Sequence, residues 1–208
     1  MEKHVYLVRH GESTSNADKI HYGHGAPLTV KGRDQAQLIA KRVDRLQVNA
    51  LFCSDFPRAI ETAEIIGAKI NLEPIQNQLF GELRGPSSIE GKHIESSENI
   101  EAHTKIGASS DPHFRFHDEE TFAELVERGT AALKVLSEHS AEKIVVVTHG
   151  GFLRLIAGLV LFRESLTKRE FHNLLEHWKT TNTGLTYLTF DEENGWFLRT
   201  LNDQSHLG

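Results

Sequence analysis

Apolar and polar positions follow two rhythms along this chain, and the rhythm predicts the elements. Val5-Tyr6-Leu7-Val8 is a short β-rich apolar run ending at Arg9-His10-Gly11, the pattern of a buried strand. Within residues 29–46 the apolar positions Ala36, Ile39, Ala40, Val43 and Leu46 fall three and four apart, which predicts an amphipathic helix. Ala50-Leu51-Phe52-Cys53 reads as a second buried strand. Residues 57–70 read as a helix with Pro57 at its first position and Ser54 or Asp55 near its cap. Thr121 with Glu124 three residues on is a capping box, and Phe122, Leu125, Val126, Leu133 and Leu136 line one face of the helix it opens. Ile144-Val145-Val146-Val147 is a third buried strand, running into Thr148-His149-Gly150-Gly151. Helices over residues 152–162 and 167–178 follow, then strands over 185–190 and 196–201 joined by a turn at 191–195.

Residues 77–118 break this rhythm, being rich in Ser, Glu, His and Gly and thin in apolar periodicity. A segment of that length inside a compact domain points to a lid or specificity element, with a helix over residues 94–106. Elsewhere strands alternate with helices. The expected fold is therefore a single α/β domain, a three-layer sandwich with a mostly parallel sheet and helices on both faces. Ligands of such sheets bind beyond the carboxyl ends of the strands. Three strands end there in polar residues, at Arg9-His10, at Ser54-Asp55 and at Thr148-His149.

Composition narrows the function. The 208 residues suit one domain, and a charged share of 25% is ordinary for a globular protein. A formal net charge of −6 with no run of Lys and Arg argues against nucleic acid or an anionic membrane as a partner. Any phosphate must then be held by a few local cations. The single cysteine, Cys53, allows no internal disulfide, and no apolar window approaches the ~18 residues of a membrane span. The N-terminus lacks the features of a signal peptide, so the expected location is cytoplasmic. Composition leaves a homo-oligomer open.

The strand ends carry the chemistry. Arg9-His10-Gly11 places a cation and an imidazole before a glycine, which permits a tight turn and brings backbone N–H groups toward an anion. Arg58 falls in the first turn of a helix, where both the helix N-terminus and the guanidinium fork favour phosphate oxygens. Thr148-His149-Gly150-Gly151 repeats the strand–imidazole–glycine order. Among the 13 histidines no His-Glu-x-x-His spacing occurs, and no Cys-x-x-Cys, so neither a metal nor a cofactor is expected. Cys53 and Arg58 are separated by four residues, none of them glycine, which does not make a cysteine-phosphatase loop. No nucleotide P-loop is present.

Arg9-His10-Gly11-Glu12-Ser13 followed by Asn16, then Ser54-Asp55-x-x-Arg58-Ala59 with Thr62-Ala63, then Thr148-His149-Gly150 resemble in order the three motifs of the histidine phosphatase superfamily, the phosphoglycerate mutase-like family. Gly23, Pro27-Leu28-Thr29 and Gly32 resemble the segment after its first motif, and the resemblance covers nearly the whole chain. It implies a phosphoglycerate mutase-like fold and a small phosphorylated substrate. His10 would be the nucleophile that becomes phosphohistidine. Arg9, Arg58 and His149 would hold the moving phosphoryl group, with Asn16, Gly23 and Gly150 completing the substrate site and no metal required. A carboxylate after the second motif would donate the leaving-group proton. Glu82 in Phe80-Gly81-Glu82-Leu83-Arg84 is the best match, with Glu90 the alternative. The chain looks short between that acid and the second histidine motif, which favours hydrolysis over the mutase reaction, and the intact Arg9, His10, Arg58 and His149 argue against the other alternative, a non-catalytic binder of a phosphorylated ligand.

Overall fold

The computed structural model describes residues 2–208. A six-stranded sheet forms its centre, made of β1 (Lys3–Arg9), β2 (Ala50–Cys53), β3 (Ile75–Gln76), β4 (Lys143–Thr148), β5 (Leu185–Asp191) and β6 (Gly195–Asp203). Their spatial order is β3-β2-β4-β1-β5-β6. The pairs β2–β3, β2–β4 and β1–β4 are parallel, while β1–β5 and β5–β6 are antiparallel, so β5 alone runs against the rest.

Each buried strand has apolar side chains on both faces, because helices cover both. Val5, Leu7, Ala50, Phe52, Ile144 and Val146 face one core, shared with α5 (Phe122–Glu138) and α6 (Gly150–Phe162). Val8, Leu51, Cys53, Val145 and Val147 face the other, shared with α2 (Val30–Leu46) and α3 (Pro57–Ile70). This is the layered α/β architecture that the alternating pattern predicts. Phe171 of α7 (Lys168–His177) joins the first core. No helix among the described residues is long and apolar enough to cross a membrane.

Several boundaries differ from the sequence expectation. Ser54 and Asp55 do not cap α3: Phe56 is the N-cap residue and makes no side-chain cap bond. The Ser54 hydroxyl instead accepts from the Phe56 N–H at 3.2 Å and meets His149. The helix expected over residues 94–106 is α4 (Ser97–Ala108), because Ser96 caps it through the Asn99 N–H. Helix α6 begins two residues earlier than expected, taking in both glycines after His149. The short helix α1 (Thr14–Asp18) and the two-residue β3 lie below the length at which periodicity is legible.

Insertion of β4 between β1 and β2 aligns three carboxyl ends. Arg9 pairs with Thr148 and Cys53 with Val147. The ladder runs one step further, with the His10 N–H donating to the Thr148 carbonyl and the Ser54 N–H to the Val147 carbonyl. His10, His149 and Ser54 therefore leave the sheet side by side.

Candidate active site

His10 is 2% exposed. Its Nδ1 lies 2.7 Å from its neighbour's carbonyl at Gly11, a contact that requires the ring proton on Nδ1. Nε2 is then the lone-pair nitrogen, and it accepts from Arg58 Nε at 3.2 Å. Burial, then the nearby Arg58 and Arg9 charges, hold the ring's pKa well below its usual value, against a smaller upward pull from the Gly11 carbonyl. The imidazole is neutral at physiological pH.

His149 is fully buried, with its ring centroid 5.1 Å from that of His10. Its Nε2 is 2.8 Å from Ser54 Oγ, and its Nδ1 is buried without a partner. Its pKa is also driven far down, by burial first and then by His10, Arg58 and Arg9. The Phe56 ring stands edge-on to it, centroids 4.9 Å apart.

The cations are fixed by backbone carbonyls. Arg9 donates one Nη1 bond to the Thr180 carbonyl at 2.5 Å, while its Nε is buried and unpartnered. Arg58 sits at the second position of α3, spans from His10 to the Gly23 carbonyl at 3.2 Å, and lies over the Phe56 ring. Burial lowers the pKa of both guanidinium groups, and the Glu82 carboxylate offsets part of that cost.

The other predicted residues gather around this centre. Asn16 uses its Oδ1 to accept from the Ser13 N–H at 3.2 Å and from Asn182 Nδ2 at 3.1 Å. Gly23 adopts φ +54°, and a Cβ there would come within 2.3 Å of Glu90 Oε1. Glu90 thus lies against Gly23. Glu82 lies elsewhere, at the start of α6, where its carboxylate accepts from the Gly151 N–H at 3.3 Å and the Phe152 N–H at 3.1 Å. It thereby supplies the helix cap that His149 does not. Gly150 opens α6, and a Cβ on it would approach Thr180 Oγ1 to 2.8 Å and Arg9 Nε to 3.4 Å.

The role expected of Gly11 is corrected. Its N–H donates to Thr62 Oγ1 at 3.1 Å and so does not reach toward an anion, and a Cβ on it would lie 2.3 Å from the Gly32 carbonyl oxygen of α2. Gly11 serves a close backbone crossing.

Sequence reasoning missed three participants and, for Ser54, the contact that gives it a role. Asn182 donates to the His10 carbonyl at 3.0 Å as well as to Asn16. Thr180 holds Arg9, and its own Oγ1 is buried and unpartnered. Arg154 of α6 adds a third guanidinium near Glu82, anchored on the Trp178 carbonyl at 2.6 Å. Ser54 orients His149. The polar run 179–184 precedes β5, which starts where β1 ends because the two are antiparallel. No local pattern marks this loop as part of the site, because the pairing that brings it there is long-range.

The fold and this edge define an α/β phosphoryl-transfer protein, in which two neutral imidazoles and buried guanidinium groups surround one small polar centre. The chain belongs to the histidine phosphatase superfamily, branch 1, whose sequence pattern matches residues 5–204. It is 31% identical to phosphoglycerate mutase-like protein 4 of Arabidopsis thaliana, over 98% of this chain and 86% of the relative. It superposes on phosphoserine phosphatase of Entamoeba histolytica with a TM-score of 0.81 at 22% identity, covering 99% of each chain. The α-ribazole phosphatase of Shigella flexneri gives a TM-score of 0.76 at 25% identity, covering 96% of each.

Proposed function

We propose that the protein hydrolyses small phosphomonoesters through a phosphohistidine on His10. The observation that carries this reading is the His10 ring, with Nδ1 committed to a carbonyl and Nε2 left as a lone pair beside Arg58. In the first step Nε2 bonds to phosphorus, the phosphorus–oxygen ester bond breaks, and Glu82 in its acid form gives its proton to the departing oxygen. In the second, Glu82 takes a proton from water as the water oxygen attacks phosphorus. The phosphorus–nitrogen bond breaks and its electron pair returns to Nε2.

Phosphoryl transfer is mostly positioning and charge stabilisation. Arg9 Nε and His149 Nδ1 are buried polar atoms without partners, a costly state that phosphoryl oxygens would relieve. Ser54 Oγ already accepts from Phe56, so its own proton is available to His149 Nε2, which leaves Nδ1–H as the donor. Arg58, Asn16 and the first turn of α6 complete the donor set. Removing one such donor is expected to cost roughly 100- to 1,000-fold in rate. Glu82 is favoured over Glu90 because its carboxylate is fixed at the α6 N-terminus beside His149, whereas Glu90 packs on Gly23. The segment 77–118 carries Glu82, Glu90 and α4 and would set substrate choice as a lid.

The test is p-nitrophenyl phosphate with wild type and His10→Ala, each in EDTA. Chelator-resistant phosphate release and acid-labile phosphoprotein in wild type alone are expected. Release by His10→Ala at the wild-type rate would overturn the mechanism. A transfer reading is favoured by the name of the Arabidopsis relative. It would replace hydrolysis if phosphoglycerate isomers interconvert without net release of phosphate.

A further inference from the structure

Outside the phosphoryl site, one buried ion pair has more hydrogen bonds than stability of a surface requires. Arg128 of α5 meets Glu120 in a two-point pair, Nε to Oε1 at 2.6 Å and Nη2 to Oε2 at 2.9 Å. The Glu120 side chain is 1% exposed and that of Arg128 14%. The remaining donors of Arg128 go to three main-chain carbonyls: Nη1 to Leu79 at 3.1 Å and Gly81 at 2.9 Å, Nη2 to Glu82 at 3.4 Å. A guanidinium has five N–H groups, and here all five have acceptors. Glu120 grips the same stretch from its other end. Its carboxylate accepts from the Arg84 N–H at 3.3 Å, and its own N–H donates to the Arg84 carbonyl at 2.9 Å.

We propose that Arg128, held by Glu120, is a positioning residue for the leaving-group acid: it fixes the main chain of residues 79–84 so that the Glu82 carboxylate meets the start of α6. The inference rests on the reading of Glu82 as proton donor. Two features support it. The clamp and the carboxylate share an element, since Arg128 lies over the Phe152 ring with its carbon 4.9 Å from the centroid, and the Phe152 N–H donates to Glu82 Oε1. Glu82 also lies in a stretch with no regular helix or strand, which has no ladder of its own to hold it. A short turn over Gln78–Phe80 precedes it, and the Phe80 carbonyl is tied to Thr148 Oγ1 at 2.6 Å. From Gly81 to Arg84 the local ties are the Gly81 N–H to the Gln78 carbonyl at 3.0 Å, the Leu83 N–H to Glu82 Oε1 at 3.0 Å and the packing of Leu83 on the first core, and the long-range ties are Arg128, Glu120 and the α6 amides. Lysine offers no planar fork and cannot serve these acceptors together.

The test reads proton donation itself. Departing p-nitrophenolate needs little protonation and phenolate needs more, so the ratio of kcat/KM for phenyl phosphate to that for p-nitrophenyl phosphate reports the acid. The ratio is measured for wild type, Glu82→Gln, Arg128→Met, Arg128→Lys, Glu120→Gln and the double variant Glu82→Gln/Arg128→Met. We expect it to fall roughly 10-fold or more in Glu82→Gln and in both Arg128 variants. The double variant should show no further fall, because the two residues act as a unit. Phosphohistidine formed from p-nitrophenyl phosphate certifies that a variant is folded. Should Arg128→Met not fold, Arg128→Lys and Glu120→Gln carry the comparison. If Glu82→Gln shifts the ratio while the folded clamp variants slow both substrates equally, the positioning role is wrong and the acid assignment stands. If Glu82→Gln leaves the ratio unchanged, the acid assignment fails and the positioning role with it.

Discussion

Two imidazoles buried in neutral form make the folded state sensitive to acid, and the size of the effect follows from the structure. His10 is 2% exposed and His149 fully buried, and both have pKa values well below the ordinary 6.5. The unfolded chain regains that ordinary value and binds a proton at each ring as pH falls through it. Because the folded state does not, stability is full above pH 6.5 and declines as the pH drops from there toward the folded pKa values. Each ring contributes a slope of about 1.4 kcal/mol per pH unit once well below 6.5. One proton per ring sets that slope as the upper limit, and a loss on this scale is large against a total of roughly 5–15 kcal/mol for a domain. Depressed carboxylates such as Asp203 titrate below this window and do not confuse it. The burial-lowered His103 and His206 act in the same direction, so the assay must be differential. Urea unfolding of wild type, His10→Gln and His149→Gln from pH 7.5 to 5, at constant ionic strength and without phosphate, gives ΔG against pH. Each variant should show a shallower slope at the acid end, by up to about 1.4 kcal/mol per pH unit, whatever its stability at pH 7.5. If the three curves stay parallel, the rings are not held neutral in the folded protein, and the argument for a ready nucleophile goes with them.

Two other outcomes follow from the same site. Inorganic phosphate should raise the melting temperature in a concentration-dependent way, worth about 2.7 kcal/mol at a hundred times its Kd, because it partners the buried Arg9 Nε and His149 Nδ1. Differential scanning calorimetry checks this, and an equal shift in Arg58→Ala would show that phosphate acts elsewhere. Gly23→Ala places a Cβ at φ +54°, a conformation that costs about 1–2 kcal/mol outside glycine, and pushes on Glu90. Lower stability in urea with reduced kcat/KM is expected, since the Gly23 carbonyl anchors Arg58. Wild-type values for both would refute that account of the turn.

How much of this was legible in the sequence depended on the range of each interaction. Strands β1, β2 and β4 and helices α2, α3 and α5 are written in local periodicity and capping, as in the Thr121–Glu124 box that opens α5. His10, Arg9, Arg58 and His149 were reachable because each stands at the edge of such an element, Arg9 ending β1, Arg58 in the first turn of α3, and His10 and His149 one residue past a strand. The contacts that specify their chemistry were not. Asn182 reaches His10 across 172 positions and Thr180 reaches Arg9 across 171, and the pairing of β5 with β1 brings them there. Gly11 misled for a related reason: its neighbour Gly32 approaches from another element, and a local reading sees only the turn. Arg128 gave no signal at all, since an arginine on the polar side of a helix reads as solvated until its five acceptors are located.

The contact between Arg58 and His10 joins these points. A nucleophile must be neutral before substrate arrives, yet the site must be cationic to hold a phosphate dianion. Placing Arg58 Nε at 3.2 Å from Nε2 meets both needs, because the guanidinium disfavours the imidazolium and also covers its lone pair. A phosphoryl oxygen accepts from a guanidinium more strongly than a neutral ring nitrogen does. In the proposed mechanism the bond that guards Nε2 is therefore given up to the substrate, and the lone pair is uncovered when phosphorus is in reach. Net charge does not govern this: the chain carries −6 overall, while the charges acting on Arg9 are Glu82 against Arg154 and Arg58. In the proposed mechanism recognition of the dianion is local, as a net charge of −6 requires.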